Sequence, residues 1–215
     1  MAFGKPGRPA EDRLLRQREI YEAVSPLILD VGARQLSMRM AAQAACLSVG
    51  GLYHYFPAKR ALVLHGIQPE AIARYCHDFH DQHVYLAASD PAAYLDAYLD
   101  FVAECVGFVQ PAIYAAIDLG LDSLENALEP ILAAANHEFE VLLPAVFPNA
   151  SEDDIRQLGR AIHRAIFAAL FDKHITPHEF RREVAILMAG YMRVRRVALG
   201  DNRDVPVSIT ASLMS

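Results

Sequence analysis

A chain of 215 residues with 53% hydrophobic content and a mean hydropathy of +0.15 has ample material for a buried core, which excludes a disordered protein. Its net charge of -6 is divided unevenly, with nine Lys/Arg against five acids in residues 1–60 and eleven against twenty-one in the remainder; contact with a polyanion is thereby confined to the front of the chain. No run approaches 18 apolar residues and Lys5 and Arg8 lead into charged sequence, so neither membrane span nor secretion signal is expected and the cytoplasm is the expected compartment.

Residues 1–10 form a Gly/Pro-rich basic arm carrying Lys5 and Arg8; such arms either enter a minor groove or remain disordered ends. Ile20, Val24, Leu27, Ile28 and Val31 then recur on one helical stripe that predicts a first helix ending near Gly32. Pro26 removes the bond to the Glu22 carbonyl and predicts a kink there. Ser37 is placed to cap a short helix through Ala45, and Ser48 to cap another after a turn of about three residues, the spacing of a helix-turn-helix. Pro57 stands where a further helix should begin, and Gly66 and Pro69 should interrupt it as a joint between the basic front and the acidic body. Asp90-Pro91, Asp122 with Glu125, Ser151 with Asp154, and Thr176-Pro177 with Glu179 mark later helix starts. The predicted spans are 91–109, 112–120, 123–143, 152–172 and 177–199. No stretch alternates with period two, so the fold class is all-α.

Within this frame "LSVGGLYHYFPAKRAL", residues 47–62, is unusual. Gly50 and Gly51 weaken a helix but remove obstruction where a helix must approach a duplex closely. Leu52 and Phe56 lie i, i+4 on an inward face, leaving Tyr53, His54 and Tyr55 toward outer and flanking sides, with hydroxyls and an imidazole able to reach phosphates and base edges. Lys59 follows in the first turn of the next helix, placed to grip phosphate. Aromatic residues at helical spacing serve a core just as readily; the basic surroundings and the paired caps favour contact.

The run "LSMRMAAQAACLSVGGLYHYFPAKRAL" resembles the DNA-binding segment of the TetR family of one-component transcriptional regulators, through Ser37, Ala41-Ala42, the turn at Cys46-Leu47, and then Ser48, Leu52, Tyr53, Phe56, Lys59 and Leu62. The resemblance covers about residues 10–65, with two departures: Cys46 at a turn position often occupied by Gly, and Pro26 in the first helix. It implies DNA contact by Arg39, Ser48, Val49, Gly50, Gly51, Tyr53, His54 or Tyr55, and Lys59, with Ser37 beside them. It also implies a three-helix helix-turn-helix domain at 11–60, a larger helical ligand-binding and dimerisation domain at 61–200, and a tail at 201–215. The function implied is that of a repressor, without enzymatic activity or cofactor, bound as a homodimer to a palindromic double-stranded operator and released by a small-molecule effector.

The body offers residues for those roles. Tyr98, Phe101, Cys105, Phe108, Tyr114, Phe139, His163 and Phe167 are candidate walls of an effector pocket. Leu158, Ile162, Ala165, Ile166 and Ala169, with Val184, Leu187, Met188 and Tyr191, form stripes suited to a four-helix dimer interface or to internal packing. Residues 61–150 contain one basic residue, Arg74, and thirteen acids; carboxylates facing a cavity would favour a cationic effector. A rival reading uses "HDFHDQH", in which His77, His80 and Asp81 at i, i+3 and i+4, with His83 nearby, have the spacing of a metal site in an all-α metalloprotein or metalloenzyme. Cys46, Cys76 and Cys105 read as reduced thiols.

Overall fold

The computed structural model describes residues 12–198 except residue 123, with side chains through residue 190 except residue 125. The arm at 1–10, the tail at 201–215 and the Tyr191 side chain lie outside the described residues. The described chain consists of helices α1 (Arg13–Gln35), α2 (Met38–Ala44), α3 (Val49–Tyr55), α4 (Lys59–Val63), a 3₁₀ turn at His65–Ile67, and then α5 (Pro69–Ser89), α6 (Pro91–Asp118), α7 (Leu124–Val146), α8 (Glu152–Leu170) and α9 (Pro177–Ala198), with no strand among the described residues.

Helix α1 starts where the Asp12 carboxylate accepts the amides of Leu14 and Leu15, and buries Ile20, Tyr21, Val24 and Ile28. The kink expected at Pro26 is absent there: Pro26 is exposed, the backbone around it stays helical, and the break falls at Gly32, with φ 79° and ψ 156°. That conformation is open almost only to glycine. Helix α4 is shorter than expected and starts after Pro57, at an Ala58 cap.

Helix α6 is the axis of the molecule. The sequence predicts a stop near residue 109, yet the helix runs through Pro111 to Asp118. Burial accounts for this: Ala112, Ile113, Ala115 and Ala116 are fully enclosed, and the Gln110 amide donates to the carbonyls of Ala169 and Asp172, fixing this turn to the end of α8. Packing of that extent offsets the roughly 3 kcal/mol cost of an internal proline. Gly120 then closes the helix, φ 70°, with the Leu121 and Gly120 amides returning to Ala116 and Ile117. By length and composition α6 could cross a membrane, which run length alone did not reveal; 61% of its most apolar window is instead buried inside the protein.

Helices α8 and α9 begin at the expected caps, Ser151 with Asp154 and Thr176 with Glu179. The stripe proposed as a dimer interface serves internal packing: Leu158, Ile162, Ile166, Ala169, Val184 and Met188 are at most 5% exposed within the single chain, and Ala165 and Leu187 pack against the same core. Among the described residues, the large exposed apolar groups on or beside this pair are Phe167, Phe171 and Ile186.

The joint expected at Gly66 is not a free hinge. Gly66 is buried, and a Cβ there would collide with the Phe108 carbonyl and lie 2.5 Å from the Tyr21 hydroxyl. Its neighbour His65 sits edge-on to Tyr21, Phe56 and Phe108 at centroid distances of 5.5, 5.3 and 6.1 Å. The front and the body therefore share an aromatic cluster at this point. Its burial holds the His65 imidazole neutral, with its pKa lowered to about 4.

Candidate nucleic-acid interface and adjoining cavity

Two serines build the front motif. The Ser37 hydroxyl accepts the Met40 amide at 3.2 Å and Ser48 accepts that of Gly51 at 3.0 Å, each satisfying a first-turn donor. Between them Cys46 adopts φ 53°, and the Leu47 and Cys46 amides return to the carbonyls of Ala42 and Gln43 at 2.8 and 3.2 Å. This left-handed closure is the one a glycine makes most readily, so the Cys46 departure leaves the turn intact.

Helix α3 turns Leu52 and the following Phe56 inward, 0% and 1% exposed. Its opposite side is open: Ser48, Val49, Gly50, Tyr53 and His54 are exposed, as are Ser37 and Arg39 at α2. A Cβ at Gly50 would meet nothing within 4 Å, so the protein's own packing does not require glycine there. Gly51 is half-buried against its cap, and Tyr55 packs partly into the core with its ring 5.0 Å from that of His54. Of the three aromatic residues that periodicity left undivided, Tyr53 and His54 face outward and Tyr55 flanks.

Polar clamps hold this helix. Arg13 donates to the carbonyls of His54 and Tyr55 at 2.9 and 3.3 Å, and the Gln17 amide donates to Tyr55 at 2.8 Å, closing the end of α3. The Lys59 ammonium donates to the carbonyls of Ala33 and Arg34 at 2.8 and 3.1 Å. Its principal placement is thus at the end of α1, where a cation complements the helix dipole, and its third hydrogen alone is left for a phosphate. The Arg34 amide donates to the Asp118 carboxylate at 2.7 Å, tying the turn before α2 to the end of α6. These three clamps carried no signal in sequence, since each joins residues far apart in the chain.

Behind the front, α5, α6, α7 and α8 line a chamber of about 230 Å³ whose walls include Phe79, Tyr94, Tyr98, Phe101, Cys105 and Glu138. A second chamber of about 600 Å³ shares Ile72, Cys76, Ile131 and Ala134 with it and reaches Leu64 and Ile67 beside the joint. Of the eight wall residues expected from sequence, Tyr98, Phe101 and Cys105 line the first chamber. Phe108 is turned into the joint cluster, and Tyr114 donates to the Phe171 carbonyl at 2.6 Å outside both chambers. Phe139 stands behind Tyr98, His163 pairs with the Asn136 amide oxygen at 2.9 Å, and Phe167 is on the outer surface. An α6 that is apolar all round could not say which side met a void; Phe79, Tyr94 and Glu138 are among the walls that sequence reasoning missed.

Helix α5 is shared by both regions. Ile72, Cys76, Phe79 and His80 face the first chamber. On its other side Arg18 of α1 pairs with Asp78 at 3.2 Å, Arg74 pairs with Asp78 at 2.8 Å and with Asp12 at 2.9 Å, and the Arg18 guanidinium lies 5.5 Å from the Tyr75 ring centre. The histidine run does not converge: His77 pairs with Asp81 at 3.4 Å, His80 borders the chamber and His83 stacks on Phe79. Among the described residues no group of three or more His, Cys, Asp or Glu is placed to hold a metal ion.

Residues 20–65 match the family described as bacterial regulatory proteins, tetR family. The fold is similar to that of a transcriptional regulator (TerR/AcrR family) from Aquifex aeolicus VF5, with TM-score 0.53 and 17% identity over 83% of this chain and 99% of that one. Thermus thermophilus FadR, a TetR-family transcriptional repressor in complex with lauroyl-CoA, is similar with TM-score 0.44 and 18% identity over 88% of this chain and 97% of that one. No curated protein matches the chain.

Proposed function

We propose, from the match of residues 20–65 to the tetR family of bacterial regulatory proteins, that this chain is a ligand-responsive repressor whose helix α3 reads operator DNA and whose cavity takes the releasing effector. The observation that carries the reading is the two-sidedness of α3: Leu52 and Phe56 are sealed inside, while Ser48, Val49, Gly50, Tyr53 and His54 stand open at a capped helix start.

In this reading Val49, Gly50 and Gly51 meet base edges, with Tyr53, His54 and Arg39 on flanking phosphates and sugars. Ser37 and Ser48 add their hydroxyls, Tyr55 flanks, and Lys59 offers its remaining hydrogen to a phosphate. Two copies related by a two-fold axis set their α3 helices in successive major grooves, about 34–36 Å apart, on a palindromic site. An effector that fits the chamber in only one position of α5 shifts the balance between two arrangements of that helix, and through Arg18, Arg74 and Asp78 the position of α1.

Selection from random duplexes tests this. Enrichment of a two-fold symmetric sequence, with affinity falling steeply as salt rises, is the expected result. Uniform recovery of all sequences would remove the DNA-reading role from α3.

A further inference from the structure

We infer that the cavity is built for a lipophilic cation, an amine or quaternary ammonium group with a hydrocarbon portion, whose charged head meets Glu138 among the aromatic walls and whose tail lies toward Leu64 and Ile67. This rests on the reading of the cavity as the effector site.

The first chamber combines one carboxylate with a continuous aromatic wall. Phe79 stacks on Phe101 at 4.5 Å and lies 5.7 Å from both Tyr94 and Tyr98. Glu138 reaches from α7 to accept the Tyr94 hydroxyl at 3.1 Å. Burial and the adjacent Glu138 push the Tyr94 phenol up to about 12, so it remains a donor to that carboxylate. No Lys or Arg lines either chamber among the described residues; beyond Glu138 the titratable groups there are His80, the two tyrosines and the thiols of Cys76 and Cys105. A half-buried carboxylate in a chamber walled by aromatic rings attracts a cation on both counts. An anionic head placed there would meet Glu138 with no Lys or Arg to compensate it, and a neutral head would gain area burial alone.

The second chamber sets the remainder of the ligand. Its walls include Leu64, Ile67, Ile72, Leu121, Leu124 and Ile131, with Gln68 and Asn126 as polar members and no charged residue among the described ones. Hydrocarbon fits this lining, and because Ile72 and Cys76 belong to both chambers the occupant lies along α5.

Calorimetric titration of the full chain with decyltrimethylammonium, 1-decanol and decanoate, each below its aggregation concentration, tests the proposal, with release of the selected duplex as a second readout. The cation should bind about tenfold or more tightly than the alcohol, with the carboxylate weakest. Glu138→Gln should lower cation affinity about tenfold and leave decanol unchanged. Should that variant not fold in a thermal melt, Tyr94→Phe supplies the alternative: cation affinity is kept or raised because the carboxylate loses a competing donor, and a tenfold loss would place the head elsewhere. Decanol or decanoate binding as tightly as the cation and releasing DNA overturns the cationic class but keeps the effector reading. Binding by none of the three overturns both, with DNA recognition still judged by selection.

Discussion

Cys46 carries a left-handed backbone, φ 53°, at the turn on which α3 is aimed. A non-glycine residue there bears a steric cost of about 1–2 kcal/mol, partly offset because glycine loses more chain entropy on folding. Cys46→Gly should therefore raise stability by about 0.5–1 kcal/mol in urea unfolding, without altering the DNA site selected; a destabilised variant would mean that the thiol makes a contact worth more than the strain. His65 makes an opposite demand. Its folded pKa is lowered from 6.5 to about 4 by burial, so the unfolded chain takes up a proton that the folded chain refuses. Stability should be full above pH 6.5 and be lost as pH falls toward 4, by up to about 3 kcal/mol. Unfolding curves across that interval check the slope, and His65→Phe, which keeps a ring between Tyr21, Phe56 and Phe108, should flatten it. An unchanged slope in the variant would assign the acid sensitivity to other groups.

Among the helices, α5 is the one through which the proposed cavity and DNA face would communicate. It touches the first chamber on one side and is held to α1 by the Arg18–Asp78 and Arg74–Asp12 pairs on the other. Asp78→Asn removes the shared carboxylate from both Arg18 and Arg74. It should leave duplex binding and decyltrimethylammonium binding each within about threefold, since these pairs are partly exposed, while cutting the factor by which one ligand weakens the other. Undiminished coupling would move the connection to the Gly66 cluster. Element starts were legible in the sequence wherever the signal is local: Ser37, Ser48, Asp90, Ser151 and Thr176 cap as their spacing predicts. Pro111 misled because the packing that carries α6 past it comes from residues far away in sequence, Ala169 and Asp172 among them. Gly66 misled for a similar reason. Its smallness reads locally as flexibility, whereas its use is a close approach to Tyr21 and Phe108. The exposure of the residues proposed as the DNA face was legible because a dense motif specifies them; Glu138 was one acid in an acidic stretch, and only folding brings it to Tyr94.

For the whole molecule, the proposed two-fold site needs a second copy of the chain, and the described residues of α8 and α9 leave exposed apolar groups available for that pairing. Phe167, Phe171 and Ile186, on α8 and α9 or directly at their ends, are 47%, 39% and 56% exposed, with the two phenylalanine rings 5.1 Å apart. The stripe that periodicity offered for this purpose is consumed by the internal core, because interior and interface use the same small and aliphatic residues. Pairing through the outer patch therefore predicts a sharp consequence. Phe167→Glu should give a monomer in sedimentation while the fold and decyltrimethylammonium binding persist, because the substituted side chain touches neither chamber. Affinity for the selected palindrome should fall by about 100-fold or more, the loss of a tethered second half-site, and affinity for an isolated half-site should change little. A Phe167→Glu protein that remains dimeric and binds its palindrome as before would move the two-fold contact off this face.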